Sequence, residues 1–192
     1  MDKPDFHFPE ILRKARRGGP AVVLPKDAGM VMAFTGIGKN SRVLELGTGS
    51  GFMTLQIANI VKEVITYEKR AEFADIAEHN VKKSGLTNVT IRRKDVLEGI
   101  DETGEFDLVF CDIAEGEKIA KRAHELLKKG GFLSAYCLNI EQAKAIVLEA
   151  QKHFASVFML EAIVREYDVR DFGVRPQHFG LMHSGYLVFA RK

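Results

Sequence analysis

Apolar residues in this chain follow two patterns that alternate with one another. Short unbroken apolar or β-branched runs read as strands; segments with apolar residues every three or four positions read as helices. Residues 42–46 (RVLEL) read as a buried strand, and 52–61 (FMTLQIANIV) as a helix. Residues 63–69 (EVITYEK) are β-branched and predict a strand. Residues 70–84 predict a helix with Phe73, Ile76, Ala77, Asn80 and Val81 on one side, stopped by Gly85. Residues 89–95 (VTIRRKD) alternate in polarity and fit a strand nearer the sheet edge; 106–113 (FDLVFCDI) fit a buried one. An amphipathic helix with a glycine cap is expected over 117–131, a strand over 132–138 and a helix over 140–154. Two long extended runs, 156–168 and 179–190, flank the polar stretch RDFGVRPQH. A short helix (KDAGMVMAFTGI) precedes the first strand, and residues 1–25 show neither period.

Strict alternation of strand and helix predicts an α/β fold with helices on both faces of a parallel sheet. Seven strands are expected in a Rossmann-like, doubly wound sheet that is mostly parallel and has a C-terminal antiparallel strand. The last two strands have no helix between them and are expected to pair as an antiparallel hairpin appended to the sheet. The expected organisation is an N-terminal basic arm, 1–25, and one domain, 26–192.

A net charge of +2 supplies no global field toward nucleic acid. Cys111 and Cys137 both sit in apolar runs, the usual setting of reduced buried thiols, and no zinc spacing is present. No apolar signal core or run of about 18 apolar residues occurs, so the expected location is cytoplasmic, with no membrane or metal partner.

The first strand ends in Glu45-Leu46-Gly47-Thr48-Gly49-Ser50-Gly51-Phe52. Ligands of open α/β sheets bind outside the carboxyl ends of the strands. Glycines there allow positive φ and close backbone approach. The spacing is G-x-G-x-G with an acid before it, not the G-x-G-x-x-G of a pyrophosphate site. An acid disfavours phosphate and favours a cationic ligand, which suits S-adenosylmethionine, a sulfonium with an amino acid group and a nucleoside. Glu68, followed by Lys69, ends the second strand, where an acid accepts from ribose hydroxyls. Asp95, followed by Val96, ends the third strand and is placed to accept from an adenine amino group or to cap a turn. Asp112 ends the fourth strand, beside the glycine loop, and is placed to touch a methyl acceptor or to cap a helix.

With these residues the chain resembles the class I S-adenosylmethionine-dependent methyltransferases over about residues 25–190. It looks most like the tRNA (adenine-N1) methyltransferases, the archaeal ones in particular. The carrying stretches are LPKDAGMVMAFTGI, YEKRAEFADIAEHNVKKSG and VRPQHFGLMHSGYLVFARK. In the last, Arg175, Pro176, His183, Gly185 and Tyr186 match the family, and Ser184 stands for its Thr. Two departures stand out: Asp112-Ile113-Ala114 replaces Asp-Leu-Pro, and the sequence lacks the family's N-terminal β-rich domain. The resemblance implies Asp112 as the catalytic residue, accepting from the adenine amino group, with tRNA as substrate and a homo-oligomer, tetramer or dimer.

RNA requires phosphate contacts. Residues 11–26 carry Arg13, Lys14, Arg16, Arg17 and Lys26 without an acid, and a helical reading puts Arg13, Arg16 and Arg17 on one face. They fit a phosphate grip or a solvated arm. Arg175, His178 and His183 are candidates for the acceptor cleft, and Tyr136 and Phe179 for base stacking or core. A small-molecule methyltransferase of the corrin (precorrin) type and a non-catalytic cofactor-binding subunit stay open as alternatives.

Overall fold

The computed structural model describes residues 7–19, 21–177 and 183–192. Nine strands and six α-helices are present among them: α1 (Glu10–Arg13), α2 (Pro25–Thr35), β1 (Arg42–Leu46), α3 (Phe52–Ala58), β2 (Glu63–Tyr67), α4 (Ala71–Ser84), β3 (Val89–Arg92), β4 (Phe106–Cys111), α5 (Ala120–Leu126), β5 (Leu127–Cys137), α6 (Ile140–Ala150), β6 (Ser156–Glu161), β7 (Tyr167–Arg170), β8 (Gly173–Pro176) and β9 (Tyr186–Arg191). Two 3-10 turns, Val96–Glu98 and Gly116–Ile119, follow β3 and β4.

Seven strands form one sheet in the order β3-β2-β1-β4-β5-β9-β6. β1 to β5 pair in parallel, and β9 is antiparallel to both of its neighbours, β5 and β6. The seven-stranded, mostly parallel expectation therefore holds. The detail that differs is placement: β9 inserts between β5 and β6, so β6, not the last strand, forms the edge. RDFGVRPQH is also no plain connection, because β7 and β8 form a separate two-stranded sheet there. Buried side chains fill both faces, one layer around Leu44, Leu46, Phe106 and Leu133, the other around Val43, Leu108, Phe110 and Phe189.

The helix expected over 117–131 stops at Leu126. Leu127 keeps the apolar helical spacing, yet it pairs with Phe106, and Leu108 then pairs with Phe132. Three extra residues thus loop out of β5, where Gly130 has φ 82°. The Lys192 ammonium donates to the carbonyls of His124 and Leu127, 2.7 Å each, satisfying the end of α5 from the far end of the chain.

The basic segment also differs. Only Glu10–Arg13 is helical, so Arg13, Arg16 and Arg17 share no helical face. Leu12 is buried against Phe52 and Leu55, which docks the segment on α3. Asn80 of α4 exchanges two 2.8 Å hydrogen bonds with the Arg16 backbone and donates a third, also 2.8 Å, to the Ser50 carbonyl. Lys26 belongs to no phosphate grip: its ammonium meets Asp27 (2.8 Å), the Ala162 carbonyl (2.6 Å) and Ser184 (2.5 Å).

Candidate active site

The sheet order reverses between β1 and β4, and a cleft of about 560 Å³ opens at that switch point. That volume lies in the range of small-molecule sites. Leaving β1, the chain turns through Gly47, Gly49 and Gly51, with φ of 96°, 53° and 83°. A side chain on Gly47 would put its Cβ 2.3 Å from the Asp112 carbonyl oxygen. The glycine therefore lets the loops after β1 and β4 touch, and the Asp112 amide completes the contact by donating to the Leu46 carbonyl at 2.8 Å.

Gly47, Thr48, Gly49, Ser50, Phe52, Glu68, Lys69, Asp95, Val96 and Asp112 share the cleft wall. The Gly49 amide donates to Glu68 Oε2 at 2.8 Å. Glu68 Oε1 accepts from the Arg70 amide and from Arg70 Nε, 3.0 Å each. Arg70 in turn lies 4.1 Å from the Phe73 ring centroid. An anion of the protein's own thus occupies the anion-binding position of the loop.

Asp95 caps the turn after β3, accepting from the Leu97 amide at 3.0 Å, and its other oxygen meets Lys69 Nζ at 3.0 Å. These two donors lower its pKa. The capping that the sequence left open is therefore present, on the cleft wall.

Glu45 and Gly51 lie behind the wall. Glu45 is fully buried on β1; Thr54 donates to its Oε2 at 2.5 Å, and Oε1 has no partner. Burial raises its pKa to about 7, opposed by the neighbouring hydroxyls. Gly51 is packed against Ala77, its would-be Cβ 3.4 Å away, letting α3 and α4 close up. Asp112 also rises to about 7, first through burial and secondarily through Glu68, with Arg70 opposing. Among the described residues no hydrogen bond engages the Asp112 carboxylate. Three acids and one arginine surround the loop, a setting for a cationic ligand rather than a phosphate.

Tyr136, Leu138, Asn139 and Gln142, from the end of β5 and the start of α6, complete the opposite side, and Ala21 to Val23 reach the rim. Tyr136 donates to the Ser184 carbonyl at 2.6 Å. Ser184 donates to Asp27 at 2.7 Å, so a buried network ties α2 to the tail beside the cleft. Gly185 is required there, since a Cβ would lie 2.7 Å from the Tyr136 ring. The sequence offered little signal for Gln142 or this network, because their partners are distant or backbone atoms.

Five candidates lie off the cleft wall. Arg13 donates to the Phe8 carbonyl at 2.9 Å, Arg16 and Arg17 are exposed on the docked segment, and Arg17 covers the Phe8 ring. Arg175 sits on β8, 3.5 Å from Asp168. His183 is 2.6 Å from Glu161 and tilts against Tyr186. His178 and Phe179 lie outside the described residues. Among the described residues no His, Cys, Asp and Glu cluster could hold a metal ion, and no helix is long and apolar enough to cross a membrane.

The sequence model of the protein-L-isoaspartate(D-aspartate) O-methyltransferase family matches residues 19–162. The tRNA (adenine(57)-N(1)/adenine(58)-N(1))-methyltransferase TrmI of Methanocaldococcus jannaschii is 33% identical over 213 residues, covering 95% of this chain and 75% of that protein. The crystal structure of the tRNA (m1A58) methyltransferase TrmI from Aquifex aeolicus is similar with a TM-score of 0.89 at 28% identity, covering 99% of this chain and 76% of that one. A precorrin-6y C5,15-methyltransferase structure from Geobacter metallireducens, with a TM-score of 0.80 and 17% identity, covers 94% of this chain and 96% of that one; the likeness is one of fold alone.

Proposed function

The chain belongs to the class I S-adenosylmethionine-dependent methyltransferases, in the family of the TrmI tRNA (adenine-N1) enzymes, and we propose that its cleft transfers a methyl group to N1 of an adenine in tRNA. The observation that carries this reading is the contact of the glycine loop with Asp112, which puts a donor site and a half-buried carboxylate, unengaged among the described residues, in one cleft.

The residues fit S-adenosylmethionine. Glu68 already takes the Gly49 amide and puts a negative charge beside the loop, which disfavours a phosphate, whereas a sulfonium and an ammonium find Glu68 and Asp112 on the cleft wall. A carboxylate offers about four lone-pair positions. Glu68 uses three, on Gly49 and Arg70, and keeps one for ribose hydroxyls. Asp95, Lys69 and Val96 form the adenine end. When bound, the cofactor supplies an electrophilic methyl group on sulfur.

Asp112 carries the acceptor chemistry. Adenine N1 becomes cationic as it gains the methyl group. An ionised Asp112 that accepts from the exocyclic amino group stabilises that growing charge in a partly dry site. The cleft admits a base only once it has left its stack. Tyr136 and Leu138 offer it apolar surface. Phosphate contacts fall to Arg13, Lys14, Arg16 and Arg17, all exposed, with Lys83 beside them through its 2.9 Å bond to the Lys14 carbonyl. The segment that bears them continues to the rim at Ala21, which connects the grip to the cleft.

Assembly of copies belongs to the same reading. Register puts Tyr167, Val169, Val174 and Pro176 on one face of the β7–β8 hairpin, and Asp168, Arg170 and Arg175 on the other. The apolar face is open to solvent, with Val169 79% exposed, and Phe172 in the turn is 87% exposed. A two-stranded sheet alone is marginal. Its cover must be present whenever the chain is folded, and a second copy meets that condition.

Replacing Asp112 by Ala tests the function. Transfer from labelled S-adenosylmethionine to an unmodified tRNA transcript should fall about 100-fold or more, with cofactor affinity changed only a few-fold. Transfer that survives the substitution would remove Asp112 from the chemistry.

A further inference from the structure

Among the described residues no hydrogen bond reaches the Asp112 carboxylate, so its aim is set by the backbone that carries it. On the β1 side that backbone is fixed by the Leu46 carbonyl and by Gly47. Beyond Asp112 the chain runs outside regular structure until the 3-10 turn at Gly116. Ile113 packs against the core, and among the described residues one side chain ties the carbonyls of this stretch to the neighbouring element. Gln142 Nε2 donates to the Ile113 carbonyl at 2.8 Å and reaches the Ala114 carbonyl at 3.5 Å. Gln142 Oε1 accepts from the Leu138 amide at 3.1 Å. The orientation of the amide is fixed by its partners, since an N–H on one side and carbonyls on the other admit one arrangement. Gln142 is anchored in turn, its backbone amide donating to the Asn139 cap at 2.8 Å.

We infer that Gln142 is a positioning residue for methyl transfer: it clips the segment after β4 to the end of β5 and so holds Asp112 against the glycine loop. This rests on the reading of Asp112 above. The clip spans the cleft wall, because Gln142, Leu138, Ile113 and Ala114 all line it. It also bears on the donor side, since Ile113 presses on the position a Gly47 side chain would fill, 3.1 Å away. Glutamate at 142 would keep the Leu138 bond and turn a carboxylate oxygen on the Ile113 carbonyl. It isolates the donor from the shape of the residue.

The test measures three quantities on wild type, Gln142→Ala and Gln142→Glu, with Asp112→Ala alongside. Hydrogen–deuterium exchange of the cofactor-free protein reads the loop: the Asp112 amide, bonded to the Leu46 carbonyl, should exchange at least tenfold faster in both Gln142 variants, with the rest of the sheet unchanged. Calorimetric titration reads cofactor affinity, expected within about threefold of wild type. Single-turnover transfer should fall 10- to 100-fold, with the KM for tRNA held within about threefold. A helix-stabilising role alone would instead lower the melting temperature, the cofactor affinity and the rate together, and that pattern overturns the inference. Unchanged exchange at the Asp112 amide overturns the clip. Faster exchange with an unchanged rate, while Asp112→Ala abolishes transfer, overturns the positioning role. If Asp112→Ala itself transfers normally, the failure lies in the reading of Asp112, and the positioning role falls with it.

Discussion

At Asp112, burial raises the carboxyl to about 7, and only its ionised form carries the negative charge that offsets the charge growing on the adenine. The protonated form therefore accumulates as pH falls below about 7, and transfer should fall about tenfold per unit beneath that point. Above it the rate should level off. A single-turnover pH profile should show this limb in the wild type and none in Asp112→Asn, whose rate stays low and flat. A limb that persists in the variant belongs to another group. The place of Glu68 and Asp112 on the cleft wall was legible because both follow the carboxyl ends of strands beside the switch point. Lys26 was not. Its place among basic residues suggested RNA, yet its partner Ser184 is 158 positions away, a distance no local pattern encodes. Glu45 was legible as a buried acid from the apolar run 42–46, and not as one that lies behind the cleft wall with one oxygen unpartnered.

Among the elements, the turn after β1 is the most constrained. Gly47→Ala adds a Cβ 2.3 Å from a backbone oxygen at a φ of 96°, and neither can give way without moving Asp112. Gly85→Ala also meets a positive φ, 77°, but has open space. Urea denaturation should show Gly85→Ala losing about 1 kcal/mol. Gly47→Ala should lose more, roughly 3 kcal/mol with the strain and the clash together, and its cofactor affinity should drop as well. Equal losses would mean that the β1 and β4 loops are less tightly joined than their geometry requires. The glycine turn was readable because strand, glycines and helix follow within ten residues. The boundary between α5 and β5 was not, because Leu126 and Leu127 are both buried and satisfy either period.

In the whole molecule, seven of the thirteen exposed large hydrophobic residues described fall between Met159 and Val174. That concentration predicts self-association through the hairpin. Sedimentation should give an oligomer for the wild type and a monomer for Val169→Asp/Val174→Asp; a monomeric wild type would refute it. The sheet order was only partly legible. Alternating periods fix a parallel sheet and the switch point, but the insertion of β9 between β5 and β6 depends on packing between distant segments. The central claim concerns the acceptor, and nucleoside analysis of an unmodified tRNA transcript after incubation with the protein and S-adenosylmethionine tests it most directly. The account predicts 1-methyladenosine in the wild-type reaction and none with Asp112→Ala. A methylated nucleoside other than 1-methyladenosine, or no methylated nucleoside despite measured cofactor binding, would contradict it.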